Sequence, residues 1–136
     1  MIRFHDITTP AVKPIVERAV KEAIASEISL EQQVIVHGKY TASFFGDGIR
    51  IWLTSFLCDQ QSAHQSKLIH LEGITQYPTW TLLAPGETLR FVLVFSGLPK
   101  SCTIFDLKEI IPEPGGFEIK NIRRNRTDVY HISFND

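Results

Sequence analysis

The sequence predicts a mainly β domain, an antiparallel β-sandwich with one amphipathic α-helix at its N-terminal end. Three observations carry that reading. From residue 33 onward the chain is a succession of short runs rich in β-branched and aromatic residues. Glycine- and proline-containing turns separate these runs too closely for crossover helices, so neighbouring strands must be joined mainly antiparallel. Only residues 14–28 repeat apolar residues at convincing helical spacing. With 136 residues, 43% of them hydrophobic and 21% charged, the chain has the size and composition of one globular domain, residues 1–136, divided into a helical segment (1–32) and the sandwich (33–136).

In the helix, Ile15, Val16, Ala19, Val20, Ala23 and Ile24 form one stripe, with Glu17, Arg18, Lys21 and Glu22 opposite. Pro14 suits the first turn, where an N–H has no intrahelical partner, and Glu17 meets the positive end of the dipole. The periodicity fades in Ile-Ser-Leu-Glu-Gln-Gln. Strands are then expected at 33–37, 40–45, 49–57, 67–71, 80–83, 88–95, 103–107, 117–122 and 129–134. Between them lie the turn candidates Gly38-Lys39, Gly46-Asp47-Gly48, Ala84-Pro85-Gly86, Gly97-Leu98-Pro99 and Pro112-Glu113-Pro114-Gly115-Gly116. The polar stretch 59–66 is the longest expected loop.

Two strands break the alternation of a half-buried sheet. In 88–95, Leu89, Phe91, Leu93 and Phe95 share one face, while Val92 and Val94 follow Arg90 on the other. In 49–57, Ile49, Ile51, Leu53 and Leu57 share one face and Trp52 and Phe56 the other. Leaving a large outer side chain in water forfeits about 1.5–3 kcal/mol, so the face around Trp52, Phe56, Val92 and Val94 is expected to be an interaction surface. The helix is the first candidate cover, since fifteen residues span about 22 Å and strands lie about 4.8 Å apart. A partner subunit is the second.

The run 68–122 reads L-I-H-L-E-G-I, P-T-W, A-P-G-E-T-L-R-F-V-L-V-F-S-G-L-P, F-D-L-K-E and G-G-F-E-I-K-N-I. This order resembles uncharacterised bacterial β-sandwich modules of immunoglobulin-like type, in which a strand ending L-x-F-x-x-L-P precedes a D-L/F-x-E strand and a final strand ending G-I or N-I. The resemblance covers less than half of the chain. It implies an immunoglobulin-like sandwich acting as a non-catalytic recognition or accessory unit, and it implies no reaction.

Fourteen Lys+Arg against fifteen Asp+Glu leave a net charge of −1, so nothing draws the whole molecule toward nucleic acid or an anionic membrane. The best zinc set, Cys58, His64, His70 and Cys102, lacks any close ligand pair, so no metal site and no cofactor are expected. The two cysteines read as reduced thiols. Catalytic residues are not expected either. No G-x-S-x-G elbow positions a serine, and neither Asp106/Glu109 nor Glu72/Glu87 is placed in a cleft by its spacing. The glycine pairs lie between strands and open no helix, so they hold no phosphate loop.

Arg123, Arg124 and Arg126, in the loop between the last two strands, are the candidate anion-binding residues, with a solvated loop tip as the plainer explanation. Trp52, Tyr77 and Trp80 are stacking candidates for nucleic acid, a minor option beside a core role. The first residues lack the pattern of a secretory signal and no apolar run approaches the about 20 residues of a membrane span, so a cytoplasmic protein with no membrane partner is expected. The leading functional expectation is a protein-interaction module, a candidate homodimer. The alternatives are a small ligand-binding protein or enzyme with a pocket between helix and sheet or near His64 and Tyr77, and an anion or nucleic-acid binder using the arginine loop.

Overall fold

The structure, a computed structural model, describes residues 32–135, and the helix expected at 14–28 lies outside them. The described chain is mainly β: β1 (Val34–Thr41), β2 (Asp47–Ile49), β3 (Ser55–Asp59), β4 (Gln65–Glu72), β5 (Thr81–Leu83), β6 (Thr88–Phe95), β7 (Ile104–Glu109), β8 (Glu118–Arg123) and β9 (Val129–Ser133). Seven strands form one sheet in the order β8-β7-β3-β4-β6-β1-β9, and β2 and β5 pair as a second, small sheet. Every pairing between these strands is antiparallel except β1 with β9, which runs parallel. Among the described residues no helix is long and apolar enough to cross a membrane.

Alternation places the core. On β6, Phe91, Leu93 and Phe95 are buried and Arg90, Val92 and Val94 face outward; on β1, Val34, Val36 and Gly38 are buried and His37 and Lys39 are exposed. Leu57 of β3 and Phe105 and Leu107 of β7 are fully buried with them, each such large side chain stabilising the fold by about 1.5–3 kcal/mol. The sheet curls until its ends meet. Phe105 of β7 lies edge-on to Tyr130 of β9 with centroids 5.2 Å apart, and Phe117, just before β8, meets Phe134 at 5.2 Å.

Two elements differ from the sequence expectation. Gly38-Lys39 is no turn, because β1 runs straight through it and pairs residue by residue with β6. The glycine answers a packing need. A Cβ there would lie 2.5 Å from Phe91 Cε2 and 2.9 Å from Phe134 Cε1, so the bare backbone lets both rings close over the strand. Gly38→Ala is therefore expected to cost about 1–3 kcal/mol as an overpacked core does, and urea unfolding that leaves the midpoint unchanged would contradict it.

The single strand expected at 49–57 is two strands, β2 and β3. Between them Ile51 donates its N–H to Thr75 O at 2.8 Å and accepts from Tyr77 N at 2.8 Å, so the chain is handed to the 75–77 segment. Ser55 Oγ then bonds Trp52 O at 2.7 Å and turns the backbone into β3. Trp52 consequently lies in the link between β2 and β3 while Phe56 lies on β3, and the four-residue face Trp52, Phe56, Val92 and Val94 is not a continuous stripe on two flat strands. Val92 and Val94 alone keep the shared outer face of β6.

Candidate binding surfaces

The first surface is built on the small β2–β5 sheet. Gly48 pairs with Leu82, and the positions where its Cβ would sit lie 3.1 Å from Trp80 Cε3 and 3.6 Å from Leu82 Cδ2, so both side chains flank a bare backbone. Beside them the turn 43–46 bonds the turn 84–87 through Gly86 N to Ser43 O at 3.1 Å. Its Phe44 and Phe45 stand 85% and 89% exposed, with Leu82 at 80% and Trp80 at 52%. The neighbouring acids are turned to structural work. Asp47 accepts Ser43 N at 2.8 Å and Tyr40 Oη at 3.1 Å, and Glu87 accepts Ala84 N at 2.8 Å.

Next to this face, three aromatic rings close around Arg50. Its guanidinium lies 3.7 Å from the centroid of Trp80 and 4.6 Å from that of Tyr77, and Tyr77 stacks on Trp52 at 3.7 Å. Arg50 Nη1 donates to Pro78 O at 3.0 Å, and Nη2 stands 4.0 Å from Glu113. A recess of about 260 Å³ opens there, bounded by Tyr40, Arg50, Trp52, Trp80, Glu109 and Phe117. At its base Glu109 is buried and accepts Trp52 N at 2.8 Å and Phe117 N at 3.3 Å; burial pushes its carboxyl above the ordinary value. The three aromatics noted as stacking candidates in the sequence thus come together, around a cation of the same chain.

The second surface is the outer face of β4, β6, β1 and β9. Registers place Glu72 beside Val92, Val92 beside His37, and His37 beside His131, with Arg90, Lys39 and Ser133 as the next row. The two imidazoles stack with centroids 4.9 Å apart and planes at 12°. A recess of about 860 Å³ lies over these rows. This is where the outward Val92 of the predicted face is found.

No family model, curated protein or solved structure matches this chain. The remaining residues singled out in the sequence are placed by geometry alone. Arg124 is drawn inward: Nε and Nη2 donate to Asp128 Oδ1 and Oδ2 at 2.6 and 2.9 Å, and Nη1 donates to Pro99 O and Cys102 O at 2.8 and 3.1 Å. Arg123 and Arg126 are exposed. The loop therefore presents two arginines to solvent, and the third is a structural tie.

Cys58 and Cys102 are free thiols, and burial pushes the Cys102 thiol up to about 11, away from thiolate chemistry. Among the described residues no three His, Cys, Asp or Glu side chains gather as metal ligands. His64 is half-buried rather than free in a solvated loop, with Nε2 3.0 Å from Ser66 Oγ and 3.1 Å from Gly97 O. Tyr77 belongs to the Arg50 cluster and shares no partner with His64. His70 lies 3.0 Å from Glu72 on β4, a central strand. Asp106 bonds Gln60 Nε2 and Asn121 N at 2.7 and 2.9 Å, on the opposite side of β7 from buried Glu109. The β2–β5 surface and the His37–His131 pair had no signal in periodicity, because their members come from segments far apart in the chain.

Proposed function

We propose that this protein is a non-catalytic interaction module, an immunoglobulin-like β-sandwich that associates with a second copy of itself through the β2–β5 face. The supporting observation is the run of large apolar side chains, Phe44, Phe45, Leu82 and Trp80, exposed on one small sheet and its turns while Asp47 and Glu87 point into the turns. With exposed Tyr77 beside them, these side chains offer on the order of 600–700 Å² of apolar surface, more than a typical monomer leaves in one patch. That approaches the about 800 Å² per partner of a stable interface. A patch whose acids are turned away is complementary to itself, since two copies meet without burying an unpaired charge. Support for the sandwich comes from the curl that sets β9 against β7 across the core and from pairings that are antiparallel in all but β1 with β9.

Sedimentation equilibrium tests the reading. The full chain is expected to weigh twice its 15.5 kDa at micromolar concentration. Replacing Phe44, Phe45 and Leu82 by serine is expected to return it to the monomer mass with unchanged circular dichroism, since exposed positions shift stability by about 0.5 kcal/mol or less each. A wild-type chain that stays monomeric to about 200 μM, or a triple variant that still dimerises, would overturn the proposal.

A further inference from the structure

The outer face of the large sheet carries a charge arrangement that folding alone does not explain. Lys39 and Arg90 are direct partners across the antiparallel β1–β6 pair, both exposed, and like charges placed opposite one another destabilise a strand pair. Among the described residues neither has an acidic partner within ion-pair distance. The one carboxylate bordering the recess, Glu72, is engaged by His70 at 3.0 Å. One row further along, His37 and His131 stack in register with two more ring N–H groups beside the cations. Val92 gives this floor an apolar patch. The recess of about 860 Å³ falls in the range of small-molecule sites.

We propose that this recess binds a small phosphomonoester, Lys39 and Arg90 receiving the phosphate and the His37–His131 stack with Val92 receiving the group attached to it. Phosphate suits the donor set better than carboxylate. An ammonium and a guanidinium with imidazole N–H groups beside them outnumber the two oxygens of a carboxylate and match the three terminal oxygens of a phosphomonoester. A flat attached group would lie against the imidazole faces and the valine. The inference stands apart from self-association through β2 and β5, which lie in the other sheet.

The experiment is an NMR titration of the full chain with phenyl phosphate at constant ionic strength. Saturable shifts are expected at His37, Lys39, Arg90 and His131, with a Kd of about 1 mM or tighter. Lys39→Gln with Arg90→Gln is expected to weaken binding at least about tenfold, Lys100→Gln to leave it unchanged, and Glu72→Gln to tighten it. The Glu72 variant keeps the test decisive if the double variant folds poorly. Absence of saturable shifts to about 20 mM, equal weakening by Lys100→Gln, or no tightening by Glu72→Gln would overturn the proposal. So would binding to phosphatidic acid vesicles without binding to phenyl phosphate, which would assign the cations to a lipid surface.

Discussion

Arg124→Ala is expected to lower the unfolding free energy by about 3–5 kcal/mol, as breaking a buried ion pair does. The guanidinium holds both oxygens of Asp128, whose side chain is 3% exposed, so truncation leaves a buried carboxylate facing no cation. Cys102 O loses its side-chain donor at the same time, and Pro99 O keeps only the N–H of Cys102. Tyr130 Oη also donates to Asp128 at 2.9 Å, so the loss reaches the strand whose ring closes the curl against Phe105. Lysine is expected to rescue only part of this, because a point ammonium cannot reproduce the two-pronged contact. Arg123→Ala and Arg126→Ala, in exposed positions, are expected to change stability by about 0.5 kcal/mol or less. Urea unfolding followed by Trp52 and Trp80 fluorescence separates the three, and equal effects at all three arginines would contradict the inward role of Arg124.

Glu109→Ala is the second large expected loss. It takes the acceptor from the half-buried N–H groups of Trp52 and Phe117, at about 1 kcal/mol or more for each, and removes the pin that turns the chain out of β2 toward β3. The native carboxylate also sets a pH dependence. Burial raises its pKa in the folded state above the ordinary 4.5, so the folded protein binds its proton more tightly than the unfolded chain does. The stabilisation from that proton is present below 4.5 and is lost as pH rises through the raised folded value. Glu109→Gln is expected to abolish this component. Its amide keeps one acceptor and turns a donor toward the other N–H, so the variant loses a hydrogen bond but gains a flatter stability profile from pH 4 upward. Matched denaturation curves across that range decide the matter, and a variant that keeps the wild-type slope would place the titration on another group.

Much of the fold was legible because alternation and turn chemistry are local. The strand 88–95 announces itself by Phe91, Leu93 and Phe95 at period two, and the structure buries those three and turns Val92 and Val94 outward. The turns at 84–87 and around Gly46 are likewise carried by residues within a few positions of one another. Glycine at 38 misled for the same reason. Its local signature is that of a turn, whereas its role is set by Phe91 and Phe134, more than fifty residues away. The break at Trp52 was invisible because the groups that make it, Thr75, Tyr77 and Glu109, come from other segments.

The candidate surfaces divide along the same line. The excess of apolar side chains was written in composition and spacing, but the exposed group is Phe44, Phe45, Leu82 and Trp80, and only the pairing of β2 with β5 brings these together. Three arginines in four positions are equivalent on paper. Asp128, in a left-handed conformation at φ 54°, and carbonyls from 99 and 102 select Arg124 for the interior. The sequence by itself determined a β domain, its approximate strands and the residue types on each face, because these depend on neighbours along the chain. Tertiary structure alone decided which glycine, which arginine and which carboxylate meet a partner, because burial and charge pairing act between atoms that the backbone curl brings together.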